Sequence, residues 1–294
     1  MTADAHPFTL AARDGYPLAA THWSPSTPSR AQLLVLGATG VPQGFYRAVA
    51  AHAAAQGCDV LTFDYRGIGG SKPKTLRGFP ATYDDWARLD AAAALDALRE
   101  PGKPLWVVGH SFAGHAMGLM ADGGNASAMY TFGSGAGWAG WMPPAERRRV
   151  WWLWNVIGPP AVALLGCLPM KRLGLGGEDL PAGVYRQWRH WCGFPRYFFD
   201  DPQANVNGRL DGFAKARYPI AAANALDDLW ALPASRDAFF SGYTAAAVEG
   251  IDLDPREHGA LGHMGYFRRG RERLWDDALA WLDRHGATPP PMTA

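Results

Sequence analysis

One decapeptide carries the strongest chemical signal in the chain: Leu105-Trp106-Val107-Val108-Gly109-His110-Ser111-Phe112-Ala113-Gly114. An apolar run, an abrupt turn with Ser at its apex and small residues opening a helix would lift a hydroxyl clear of a sheet edge. Ser111 is therefore a candidate nucleophile, although Ala113 stands where the full G-x-S-x-G pattern has its last Gly. A Ser N-cap after a buried strand would have the same local sequence and no chemistry. A base decides between the two readings, because a Ser hydroxyl is a poor nucleophile at neutral pH until its proton is taken. Of nine histidines, His263 lies between Gly262 and Gly265, in a loop after the last candidate strand, and is the expected base. His258, five positions earlier, is the alternative. His6, His52, His190 and His285 read as surface or core residues, and His110, beside Ser111 on a tight turn, as packing.

The elements that must position these groups alternate. Leu33–Leu36, Val60–Phe63, Leu105–Val108, Ala128–Phe132 and Ile220–Ala223 read as short buried strands, with Val248–Leu253 a weaker one. Phe45–Gln56 and Tyr83–Arg99 have helical composition, the second with Leu89, Ala92, Leu95 and Leu98 at helical spacing and Pro101-Gly102 as its stop. Phe8–Leu10 and Leu18–Trp23 flank Asp14-Gly15 as a hairpin. This order predicts an α/β fold, a mostly parallel central sheet with helices on both faces. Composition shifts near Gly137: residues 138–191 hold seven of the thirteen tryptophans together with Arg147, Arg148, Arg149, Lys171 and Arg172. The expected organisation is a core over 1–137, an inserted helical cap over 138–217, a return to the core over 218–288, and a loose tail at 289–294. The cap would cover the carboxyl edge of the sheet, where α/β proteins put their sites.

Charge and cysteine content narrow the function classes. Twenty-eight Lys and Arg against 27 Asp and Glu leave +1, so there is no surplus of cations for a nucleic-acid partner. Cys58, Cys167 and Cys192 are an odd number without paired short spacings, which suggests neither a disulfide framework nor a metal site. The N-terminal segment carries Asp4 and no apolar run of the secretory kind, so the expected location is the cytoplasm. Leu153–Leu168, the most apolar stretch, is sixteen residues broken by Pro159 and Pro160, short for a bilayer span and read as a lid or core element. Gly67-Ile68-Gly69-Gly70-Ser71 lacks the register and the Lys of a phosphate loop and reads as a turn beside the site.

The sequence resembles the α/β-hydrolase superfamily, most of all the bacterial hydrolases grouped with serine aminopeptidase and monoglyceride-lipase-like proteins. The resemblance rests on Thr39-Gly40-Val41-Pro42, Phe63-Asp64-Tyr65-Arg66-Gly67-Ile68-Gly69-Gly70-Ser71, Gly109–Gly114, Asp227-Asp228 and Gly262-His263, which occur in family order. It implies an acid at Asp227 or Asp228, with Asp228 favoured because Pro233 follows at the family's distance. Ser111, Asp228, His263 is also the chain order that this fold uses for a catalytic triad. An oxyanion formed at Ser111 would meet the Phe112 N–H, the residue after the nucleophile, and, by the family alignment, the Thr39 N–H. The family usually has His-Gly-x at that second place, where this chain has Gly37-Ala38-Thr39; Gly40 is read as giving the loop freedom to approach a substrate.

These readings predict a serine hydrolase that cleaves a carboxylic ester through an acyl-enzyme, with no cofactor and no metal. A thioesterase, amidase or acyltransferase would use the same residues, and a non-catalytic binding protein would keep only the fold. Trp138, Trp141, Trp152, Trp188 and Met264 are the expected pocket residues, which would favour a small-molecule substrate with an apolar or aromatic portion. Trp151, Trp152 and Trp154 with Arg147–Arg149 suit either a cap packed on the core or contact with membrane lipid; packing is the favoured expectation.

Overall fold

A computed structural model describes residues 4–287. The expected tail at 289–294 lies outside the described residues. Eight strands form one sheet: β1 Asp4–Ala11, β2 Pro17–Ser24, β3 Ala31–Leu36, β4 Cys58–Phe63, β5 Leu105–His110, β6 Ala128–Phe132, β9 Ile220–Ala225 and β10 Val248–Leu253. The strands β7 Cys167–Leu168 and β8 Leu180–Pro181 pair separately. The order across the large sheet is β1-β2-β4-β3-β5-β6-β9-β10. Only β1 and β2 run antiparallel to their neighbours; every other pairing is parallel.

Parallel central strands must be covered on both faces, and alternation along each strand accomplishes this. Leu34, Leu36, Leu61, Phe63, Val107 and Met129 face the helical segment 83–98 and the Phe112–Leu119 helix. Leu33, Val35, Val60, Trp106, Val108 and Tyr130 face the Arg47–Ala55 and Glu272–His285 helices. β10 was the faint strand in the sequence because it is an edge strand, largely solvent-facing and carrying Glu249 and Asp252. With six strands parallel, their carboxyl ends share one rim. Ser111 follows β5, Gly133 follows β6, Asp228 stands three residues after β9, and the loop that contains His263 follows β10.

Residues 133–219 separate β6 from β9 and add no strand to the large sheet. Their longest helical stretch runs from Pro144–Trp152, through a wide turn at Leu153–Ile157, into Gly158–Leu165. Pro159 and Pro160 sit in the first turn of that last helix, where a missing N–H costs little. Val150, Leu153, Trp154 and Val162 turn inward, and Trp154 packs on Tyr185, Trp188 and Trp230. Trp151 and Trp152 do not pack on the core as expected: they are 53% and 54% exposed, edge to face with each other. The helical period accounts for this, since two residues flanked by inward-facing Val150 and Leu153 must turn outward. No helix among the described residues is long and apolar enough to cross a membrane.

Candidate active site

Ser111 follows β5 and caps the start of the Phe112–Leu119 helix in a conformation that side chains rarely adopt, φ 50° and ψ −96°. Bonds on both sides hold it there: its N–H donates to the Phe132 carbonyl at 2.9 Å, and its own carbonyl accepts from Ser134 Oγ at 2.7 Å. Tight glycines let the turn close. A Cβ on Gly109 would stand 2.3 Å from the Cβ of Ala113, so the missing side chain at 109 makes room for Ala where the motif has Gly.

His263 Nε2 lies 3.1 Å from Ser111 Oγ. On the other side of the ring, Nδ1 is 2.8 and 3.0 Å from the two oxygens of Asp228. Asp228 is fully buried, and its charge is met by further donors: the Tyr266 hydroxyl at 2.8 Å and the Trp230 and Ala231 N–H groups at 3.1 and 3.2 Å. Burial alone would raise this carboxyl, but the His263 ring and these donors outweigh it and hold Asp228 below the usual carboxylate range. The converse holds for His263: burial pulls the imidazole down, and the Asp228 charge and hydrogen bond more than compensate, so it sits above the ordinary histidine value. Asp227 turns the other way. Its oxygens accept from the Leu261 and Gly262 N–H groups at 2.9 and 3.1 Å, which shapes the loop that delivers His263. His258 ends a short helix, Pro255–His258, and is not among the residues brought to Ser111.

A second, buried line of hydrogen bonds supports the first. The Ala38 N–H donates to the Tyr46 hydroxyl at 2.7 Å, that hydroxyl donates to His110 Nδ1 at 2.9 Å, and His110 Nε2 donates to the His263 carbonyl at 2.8 Å. His110 is fully buried, and burial pushes it down to about 3, so the ring stays neutral with its proton on Nε2. The packing role read from sequence is thus also a polar one. Substituting His110→Phe fills the volume but strands the Tyr46 hydroxyl and the His263 carbonyl. The expected cost is about 1–3 kcal/mol, seen as a lower urea midpoint at unchanged slope.

The family described as "Serine aminopeptidase, S33" matches residues 27–155, which span β3 to β6 and the Ser111 turn. Among solved structures, a soluble variant of monoglyceride lipase from Saccharomyces cerevisiae, in complex with a substrate analogue, aligns over 97% of this chain and 96% of its own at 16% identity, TM-score 0.63. A hypothetical protein from Pseudomonas aeruginosa aligns over 97% and 94% at 17% identity, TM-score 0.62. The chain has the α/β-hydrolase fold. An esterase of Pyrococcus furiosus is a further similar solved structure, aligning over 96% of this chain and 93% of its own at 14% identity, TM-score 0.56. No curated protein sequence matches.

Within this fold, Ser111 and His263 border a cavity of about 280 Å³. Thr39 lines it too, with its hydroxyl paired to that of Tyr83, while Phe112 is buried at the head of its helix, where first-turn N–H groups lack intrahelical acceptors. Two of the five expected pocket residues, Trp188 and Met264, line the cavity; Trp138, Trp141 and Trp152 do not. Trp138 and Trp141 pack on each other, and the Trp141 indole donates to the Pro195 carbonyl. Trp152 faces outward. The apolar walls are instead Leu153, Met170, Leu175 and Trp230 beside Trp188 and Met264. Gly40 also differs from expectation. Its positive φ of 73° places it against Leu180 and Glu178, whose N–H donates to the Gly40 carbonyl at 2.6 Å, so this glycine lets the 133–219 segment approach the loop.

The sequence reading missed Tyr46, Tyr83, Trp230, Tyr266 and His115. His115, four residues after Ser111 and so one helical turn on, borders the cavity and donates from Nε2 to the Gly135 carbonyl at 2.9 Å. That spacing was a usable signal. Trp230, two residues beyond Asp228, was another. The tyrosines hold the site through their hydroxyls, and nothing in their spacing announces that.

Proposed function

We propose that the protein is a serine hydrolase that cleaves a small carboxylic ester through an acyl-enzyme. The observation that carries this reading is the unbroken line Asp228–His263–Ser111, opening on a cavity with mostly apolar walls. Ser111 Oγ attacks the ester carbonyl as its proton passes to His263 Nε2, giving a tetrahedral oxyanion and an imidazolium that Asp228 stabilises. The Phe112 and Thr39 N–H groups meet the oxyanion, each worth about 2.7–4 kcal/mol. His263 then returns the proton to the departing alkoxide. Water, deprotonated by the same nitrogen, releases the acid and restores Ser111.

The cavity is slightly below the range of about 300–1,000 Å³ common for ligand pockets, which favours a compact acyl group over a long chain. Residues 138–217 act as the cap, contributing Arg149, Leu153, Met170, Leu175 and Trp188 to its lining. The solved relatives titled esterase and monoglyceride lipase agree with ester chemistry. A fluorophosphonate probe should label the folded protein at Ser111 and nowhere else, and p-nitrophenyl acetate and butyrate should turn over faster than the decanoate. Absence of label on Ser111 in folded protein, with none of the three esters cleaved, would overturn the reading.

A further inference from the structure

From Trp151 onward the helical stretch over residues 144–165 is apolar on its outer side as well as its inner one, apart from the exposed Asn155. Trp151, Trp152, Val156, Ile157, Leu164 and Leu165 are each at least 38% exposed, and Leu164 reaches 71%. Trp152, Val156, Pro160 and Leu164 recur every four residues, so they form one ridge along the helix. A helix with apolar side chains on both faces belongs in a core or against lipid, and the outer, largely apolar half of this one has no core to face.

Charge settles which occupant fits. Between residues 138 and 179 the chain has five cations, Arg147, Arg148, Arg149, Lys171 and Arg172, against three acids, Glu146, Glu178 and Asp179, giving +2 in a protein whose total is +1. Glu146 pairs with Arg149, and Glu178 with Lys171. Arg147, Arg148 and Arg172 form no carboxylate pair among the described residues, and Arg147 and Arg148 are exposed at one end of the apolar ridge while Arg172 is exposed beyond the other. Arg186 and Arg189 border the same groove as Trp151, where Arg189 reaches Asn155. An isologous pairing of two copies through this face would bring the cations of one copy against those of the other. We propose that the outer face of residues 147–165 docks on an anionic lipid surface, with Trp151 and Trp152 at headgroup depth and the flanking arginines on lipid phosphates.

Two exposed tryptophans beside basic side chains are what an interfacial helix presents, and the attraction to anionic lipid adds to apolar burial. The inference does not depend on Ser111 chemistry, because binding is read without turnover. The test is co-sedimentation of the full-length protein with vesicles of phosphatidylcholine alone and with 30% phosphatidylglycerol (about 0.1 M and then about 0.5 M salt). The protein should pellet with the anionic vesicles, at least tenfold less with the neutral ones, and less at high salt. Trp151→Ser/Trp152→Ser should weaken binding at least tenfold, and Arg147→Gln/Arg148→Gln on the order of tenfold or more, both with unchanged far-ultraviolet circular dichroism. No pelleting of the wild-type protein with anionic vesicles would overturn the proposal. So would pelleting that the tryptophan variant retains, or a dimer in light scattering that the tryptophan variant abolishes, which would assign the face to a second copy.

Discussion

Ser111→Ala is expected to lower ester turnover by about 10⁶-fold, the scale on which nucleophile removal acts in triad enzymes. The loss should fall on kcat, because the cavity walls that bind the substrate are untouched. Folding stability should move by no more than about 0.5 kcal/mol, since the hydroxyl makes one bond, to His263, on a partly exposed turn. The backbone gives a second reading from the same position. Ala keeps the Cβ that makes φ 50°, ψ −96° costly, whereas Gly does not. Ser111→Gly should therefore be as inactive as Ser111→Ala and melt at the same temperature or higher. Comparable activity in the Ala variant and wild type, measured by p-nitrophenyl ester hydrolysis, would remove Ser111 from the chemistry.

Asp228→Asn should be the next most damaging change, costing about 10⁴-fold in kcat by analogy with triad acids that fix the imidazole tautomer. It should also move the pH profile in a direction that can be worked out. The base acts only when neutral, so kcat/KM falls as pH drops through the His263 pKa, and in the wild type that midpoint lies above 6.5 because Asp228 overrides burial. Without the carboxylate, burial acts unopposed, and the acidic limb of the small remaining activity should shift to lower pH. Asp227→Asn removes no charge facing the ring and disturbs only the donors at Leu261 and Gly262, so its profile should keep the wild-type midpoint. A larger fall in kcat for Asp227→Asn than for Asp228→Asn would exchange their roles.

The parts of this site that could be read from the chain are those fixed by local geometry. The strand-turn-helix around Ser111 needs small residues at 109 and 114 and apolar ones before it, and all lie within ten positions. The β5 and β6 segments were legible for the same reason, as runs buried on both faces. Cavity walls were not. Whether Trp152 or Leu153 faces inward depends on the phase of a helix set by Tyr185, Trp188 and Trp230, which lie more than thirty residues away, and composition is blind to phase. A cluster of tryptophans signalled a pocket, yet three of the residues chosen from it pack or face water elsewhere. The Asp227-Asp228 pair stood between these cases. Sequence put both acids at the right strand end and favoured Asp228 through its spacing to Pro233, whereas the bracing of the His263 loop by Asp227 is seen only in the fold.

The buried path from Ala38 through Tyr46 and His110 to the carbonyl of His263 has a practical consequence. Anyone redesigning residues 37–42 to enlarge the cavity would be editing one end of a strut whose far end carries His263. Library selections confined to that loop should stall early, and productive variants should arrive with second changes at Tyr46 or His110 that reset the far end.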